Sequence, residues 1–215
     1  MTDISFIDVL THSSIRLDLP EGKVYADPFR VSKEYRDASL ILVTHDHFDH
    51  FSPDDIKKVM KKGTMLIVPE SLKKQASKAA GNECAVTVLE PGRKTVACGM
   101  EIEAVPAYNL KKRFHPKKSG WSGYIINSEK GRIYIAGDTD ATPEAKGIRC
   151  DIALVPVGGT YTMGAVEAAE LVNVIKPGAA VPTHFGSVAG SSSDGDRFCS
   201  LLEPGIYSEI RSKKV

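Results

Sequence analysis

The chain has 215 residues, 42% apolar and 26% charged, the proportions of an ordinary globular protein rather than a disordered or fibrous one. Lys and Arg number 28 against 27 Asp and Glu, a formal charge of +1, which excludes a strong global field for nucleic acid or an acidic membrane. The four cysteines, Cys84, Cys98, Cys150 and Cys199, form no CxxC pair and read as reduced thiols in a reducing compartment.

The opening residues carry Asp3 and Asp8 and lack the basic segment, apolar core and cleavage site of a signal peptide. No apolar stretch approaches the roughly eighteen residues that cross a bilayer. The expectation is a cytoplasmic protein without a membrane partner. Three strands follow in ISFIDVL (4–10), SIRLDL (14–19) and KVYAD (23–27), separated by polar pairs and by Pro20-Glu21-Gly22. SLILVTH (39–45) is a continuous apolar run, as in a strand covered on both faces. Ser52 caps a helix that Pro53, Asp54 and Asp55 open and that is expected to run to about Lys62, before Gly63.

MLIVP (65–69) is a strand, and a helix over about 71–80 stops at Gly81. AVTVLE (85–90) and MEIEAVPA (100–107) are strand-like, and YNLKKRFHPKKSG (108–120) is a long basic and aromatic loop. WSGYIIN and RIYIAGD (132–138) form a hairpin across Glu129-Lys130-Gly131. DIALVPV (151–157) is a buried strand and AAVPTHF (179–185) a strand, flanking a helix over 164–175 whose apolar residues fall near helical spacing. A helix near 194–202 and a short strand near 206–210 end the chain. With no repeat or linker, residues 1–215 read as one α/β domain.

Three of the six histidines fall within His45-Asp46-His47-Phe48-Asp49-His50, where the buried strand ends. Strand ends are where α/β proteins place ligand sites. An extended backbone would turn His45, His47 and Asp49 to one side and send His50 elsewhere. Imidazole and carboxylate ligate zinc and related ions, and a spacing that feeds two directions suits two adjacent ions. An exposed polar loop before a helix is the bland alternative. Asp138 after Gly137 would by itself read as a turn cap, and His184 as a packed strand-end histidine.

THDHFDH resembles the HxHxDH motif of the metallo-β-lactamase-fold hydrolases, and the pieces that follow keep that family's order. IAGDTD places Asp138 where the family has a later Asp, VPTHFG places His184 where it has a last His, and Tyr25-Ala26-Asp27-Pro28-Phe29 resembles its DPF turn. The match spans residues 12–186. VPVGGTYTMGAVEAAEL (155–171), with THSS near the start, is most similar to the small ascorbate-6-phosphate-lactonase-like branch.

The resemblance implies a four-layer αβ/βα sandwich holding two divalent ions. His45 and His47 would bind the first, Asp49, His50 and His184 the second, and Asp138 would bridge them. Asp49 and Asp138 are the candidate catalytic carboxylates. A hydroxide between the ions would be the nucleophile, with one ion polarising the scissile group. Zn2+ heads the candidates, with Mn2+, Ni2+ and Fe2+ open. Asp27 would orient a ligating His from behind, and His12 would sit near the ligands in the same supporting role.

The family commonly places a third His for the first ion just after the strand matching MEIEAVPA; here Asn109 stands there, and the nearest substitute is His115. His115 completes the set, binds substrate or has no role; Asn109 or water are the other candidates. Lys111, Lys112, Arg113, Lys117 and Lys118 concentrate positive charge beside the expected site, suiting an anionic group. A merely solvated loop is the alternative. Among these, Lys111 and Arg113 are the candidate substrate contacts, with Tyr161 beside a Gly158-Gly159 turn whose N–H groups could face an anion.

The favoured function is a metal-dependent hydrolase of a small anionic lactone, ester or phosphodiester. The alternatives are a nuclease or phosphodiesterase on nucleic acid, which the near-zero charge opposes, and a metal-binding protein with an impaired site. A homo-oligomer stays open.

Overall fold

The computed structural model describes residues 2–212. Among them, the first half builds a six-stranded sheet from β1 (Ile7–Thr11), β2 (Ser14–Leu19), β3 (Gly22–Ala26), β4 (Ala38–Leu42), β5 (Met60–Val68) and β6 (Ala85–Val88), in that spatial order. The second half builds a seven-stranded sheet from β7 (Lys94–Ala97), β8 (Met100–Pro106), β9 (Ser122–Ser128), β10 (Gly131–Ile135), β11 (Ile152–Pro156), β12 (Ala179–Thr183) and β13 (Tyr207–Ser208), again in chain order. Each sheet changes character midway. β1–β2–β3 and β7–β8–β9–β10 are antiparallel, joined by tight turns except for the long loop 107–121 between β8 and β9, whereas β3 to β6 and β10 to β13 run parallel, as crossover connections require.

The alternation of side chains sorts the residues into layers. In β4, Leu40 and Leu42 join the central core with Ile102, Ile126, Ile135, Leu154 and Val181 of the opposite sheet. Ile41 and Val43 turn the other way and pack under α1 (Pro53–Val59) and α2 (Lys73–Ala80) with Ile56, Val59, Leu72 and Ala76. In β11, Ile152 and Leu154 face inward, while Ala153 and Val155 pack outward against α3 (Pro143–Lys146), α4 (Ala165–Ile175) and α5 (Asp194–Ser200). The result is helix, sheet, sheet, helix, the expected four layers. Strands covered on both faces must be apolar at every position, which is why SLILV and DIALVPV lack alternation.

Local chemistry sets the boundaries. Ser52 Oγ accepts the Asp55 N–H, Pro53 opens α1, and Asp54 and Asp55 occupy its positive end. The helix nevertheless stops at Val59 rather than Lys62. Met60 already pairs with Ala38, and the Thr64 hydroxyl accepts the Lys61 N–H at 3.0 Å while donating to the Ala38 carbonyl at 2.7 Å. Sheet pairing overrides the helix propensity of two lysines. Strand β7 and the single turn of α3 are additions to the sequence reading. The β7 strand is an edge with Val96 68% exposed, so burial imposed no pattern on it. The last strand shrinks to Tyr207–Ser208.

Candidate metal centre

The segments leaving the carboxyl ends of β3, β4, β8, β10 and β12 meet at one edge of the sandwich. They carry Asp27; His45 to His50; Asn109 and His115; Asp138; and His184, respectively. The β1–β2 turn adds His12. The backbone does not stay extended after β4: His50 and Phe51 both donate their N–H to the His47 carbonyl, at 3.0 and 2.8 Å. This turn brings His50 to the same side as His45 and His47, against the alternation expected of an extended segment, and leaves Asp46 exposed. Gly137 sits at φ +63°, and a Cβ there would come within 3.0 Å of Thr44. The absent side chain lets Asp138 reach the end of β4. Similarly, a Cβ at Gly158 would collide with the His184 carbonyl oxygen.

Three groups of donor atoms form, each within 4.8 Å: His45, His47, His115 and Asp138; His50, Asp138 and His184; and His12, Asp49 and His184. Asp138 stands at the centre. Its Oδ2 lies 3.3 Å from His115 Nε2 and 3.1 Å from His184 Nε2, and its Oδ1 lies 3.2 Å from His50 Nε2. His45 Nε2 is 3.1 Å from His47 Nδ1. Two donors each about 2.1 Å from a common ion lie roughly 3–3.5 Å apart, so these separations suit ions.

The far nitrogen of three rings is tied. His45 Nδ1 meets Thr44 Oγ1 at 2.9 Å, His50 Nδ1 meets Asp27 Oδ2 at 2.7 Å, and His115 Nδ1 meets Asn109 Oδ1 at 3.0 Å. Each contact places N–H on Nδ1 and a lone pair on Nε2, the tautomer a cation needs. Asp27 is itself held, accepting the Thr44 N–H at 2.8 Å and the Thr44 hydroxyl at 2.7 Å. By contrast, His50 Nε2, His115 Nε2, Asp138 Oδ1 and both nitrogens of His12 and His184 are buried without a hydrogen bond of good geometry. Buried polar atoms almost always have partners. Seven such atoms at one spot, all imidazole nitrogens or carboxylate oxygen, fit divalent cations.

The charges agree. Burial alone would depress His50, yet the Asp138 and Asp27 carboxylates outweigh it and hold the imidazole well above its usual range. Burial would raise Asp138, but the surrounding rings of His184, His50 and His115 keep it well below the carboxylate range. Burial and the neighbouring His50 drive His45 well down, and burial also lowers His12 and His47.

His115 lies in the donor set, so the position that Asn109 leaves open is filled from six residues further on. Asn109 turns out to support it. Two residues that the sequence reading left without a role anchor this loop. Asp140 accepts the Asn109 side-chain amide at 3.0 Å and the Leu110 N–H at 2.9 Å and pairs with Lys112. Glu144 pairs with Lys117 at 2.7 Å. The duplicated acid in Gly137-Asp138-Thr139-Asp140 was the available signal. Lys111, Arg113 and Lys118 remain exposed, with no ion pair among the described residues. Tyr161 packs edge-on against Phe114 with ring centroids 4.6 Å apart. The Gly159 and Thr160 N–H groups are already taken by the carbonyls of Met163 and Gly158, which removes them as donors to an anion. Trp121 walls the first donor group, 5.1 Å from His45 and 5.0 Å from His47 between ring centroids.

Two facing sheets with helices outside, and buried imidazoles and carboxylates gathered at strand ends, define the metal-dependent hydrolases of the metallo-β-lactamase class. The chain belongs to this superfamily, matching the Beta-lactamase superfamily domain over residues 6–184, and within it to the UPF0173 metal-dependent hydrolases. One such hydrolase, from Methanopyrus kandleri, is 30% identical over 218 residues, 94% of this chain and 93% of that protein. A crystal structure from Parabacteroides distasonis, of a protein assigned to the metal-dependent hydrolases, superposes with a TM-score of 0.84 at 31% identity, covering 96% of this chain and 93% of that one. Igni18, a metallo hydrolase of Ignicoccus hospitalis, shares the fold, with a TM-score of 0.74 at 20% identity over 97% and 96% of the two chains.

Proposed function

We propose that residues 1–215 act as one hydrolase domain on a small anionic substrate, a lactone, ester or phosphodiester, with two divalent ions. The observation that carries this reading is the set of buried, unpartnered nitrogens and carboxylate oxygen around Asp138. His45, His47 and His115 would hold the first ion, Asp49, His50 and His184 the second, and Asp138 both. Bound there, such ions supply an activated water and a Lewis acid. Zn2+ is the leading candidate, with Mn2+, Ni2+ and Fe2+ next, since imidazole and carboxylate accept them all.

The chain's own residues do the rest. Asp27, Thr44 and Asn109 fix the tautomers of His50, His45 and His115. Trp121 covers one side of the first donor group. Lys111 and Arg113, exposed on the loop that carries His115, draw in the anionic group, and Tyr161 bounds that loop through Phe114. The likeness of residues 155–171 to the lactonase-like branch supports a lactone as the first substrate to try. Four free thiols support a reducing, cytoplasmic setting.

With His115 in the donor set, the motive for an impaired site disappears. A charge of +1 favours a small substrate over nucleic acid. The test is elemental analysis of gently purified protein beside His47→Ala, followed by lactone, ester and bis-phosphodiester substrates at two salt concentrations. The expected result is close to two ions per chain, fewer in the variant, and turnover that salt changes little. Metal-free wild type that cannot be reloaded would end the proposal.

A further inference from the structure

His12 differs from every other support of the site. Asp27, Thr44 and Asn109 stand behind the imidazoles and bond their far nitrogens. His12 instead stands among the donors: its Nε2 is 3.3 Å from Asp49 Oδ2, and its ring lies 3.9 Å from that of His184 between centroids. Its side chain is fully buried, and neither ring nitrogen has a hydrogen bond of good geometry. A packing histidine would normally satisfy at least one of them.

The backbone is committed as well. His12 adopts φ +50° and His184 φ +57°, the left-handed region, which His enters more readily than most non-glycine residues. The two are bonded, with the His184 N–H donating to the His12 carbonyl at 3.1 Å. His12 takes this φ in the tight β1–β2 turn, as Cys98 does at φ +51° between β7 and β8, so a ligand role rests on where its ring stands rather than on its backbone.

We propose that His12 is a direct ligand of the second ion, beside Asp49 and His184, with which its Nε2 shares one donor group. This rests on the two-ion reading above and deepens it. The first ion has four side-chain donors, the number zinc prefers.

The test compares wild type with His12→Asn and His12→Gly, both of which tolerate φ +50° without strain. Each is stripped and reloaded with Mn2+ or Co2+, and both binding steps are followed by chelator competition. The weaker step should lose at least tenfold in affinity while the tighter one stays within twofold, and the visible bands of the Co2+ form should change. Added imidazole should restore the step in His12→Gly. Thermal melting of the stripped proteins checks folding, and the imidazole rescue reads the ligand role even if His12→Asn melts early. Two unchanged steps with an unchanged Co2+ spectrum in both variants would overturn the assignment while leaving the two-ion reading intact. Wild type that binds no second ion overturns both.

Discussion

A single oxygen of Asn109 holds His115 twice: Oδ1 accepts the His115 backbone N–H at 3.1 Å and meets its ring Nδ1 at 3.0 Å. The Asn109 N–H in turn donates to the His115 carbonyl at 2.7 Å. A loop closed by three bonds between two residues brings an imidazole into place without a regular element. Asn109→Ala removes two of those bonds and the Asn109 amide contacts with Asp140 and the Tyr161 carbonyl. It should weaken the first ion about 10–100-fold, as loss of an orienting partner does elsewhere. Chelator titration reads this directly, and an unchanged affinity would show that His115 needs no support.

Asp27 accepts from Thr44 twice and from His50 once. In Asp27→Asn one oxygen becomes an amide donor, which must oppose either the Thr44 N–H at Oδ1 or the Thr44 hydroxyl and the His50 N–H at Oδ2. Leaving one buried donor unmatched costs about 1–3 kcal/mol. The variant should lose that much stability by urea titration and release metal more readily. Full stability with full metal content would contradict the orienting role.

Ion binding should be visible in melting. An ion present at a hundred times its dissociation constant adds about 2.7 kcal/mol, and a chain of this size shifts by about 2–4 °C per kcal/mol. Stripping the protein should therefore lower Tm by roughly 5–11 °C, and Zn2+ or Mn2+ should restore it where Ca2+ does not. Calorimetry with and without chelator decides the matter; coincident curves would count against a built site.

Asp55 gives a pH-dependent contribution away from the metal centre. Its carboxylate accepts the Arg30 and Val31 N–H groups at 2.8 and 3.0 Å, the Ser52 hydroxyl at 2.8 Å, and Lys58 at 2.8 Å. Burial opposes ionisation, but these donors outweigh it and hold Asp55 below its ordinary value. Since the folded value lies below the unfolded one, near 3.9, the stabilisation is present above that pH. It fades as pH falls through the folded value. Asp55→Asn should be less stable than wild type by about 1–3 kcal/mol at pH 7, with the difference shrinking as pH falls below the unfolded value. A constant difference across that range would assign the effect to shape, not charge.

Much of the architecture could be read from hydrophobic pattern alone. Residues 14–19 form β2 as expected, and the helix expected over 164–175 is α4, from Ala165 to Ile175. Burial on one or both faces imposes a pattern there. Where burial is weak the pattern fails: β7 has an exposed edge, and α1 yields to β5 at Met60 because a strand partner outweighs propensity. The convergence of His45, His47, Asp138 and His184 could be anticipated from the resemblance carried by a motif and two short segments, each beside a strand end. Asn109 and Asp140 could not, because an irregular loop has no period and its bonds depend on which backbone comes near.

The order of residues, then, determined the sheets, the layers and the chemical kind of site, since these follow from side-chain alternation and from imidazoles clustered at a strand end. Only the tertiary structure decided that His50 joins its neighbours through a turn, that His115 stands where Asn109 might have, and that His12 faces Asp49 and His184. The reason is geometric. These contacts join positions as far apart in sequence as 12 and 184, and nothing local records which distant backbone will lie a few ångströms away.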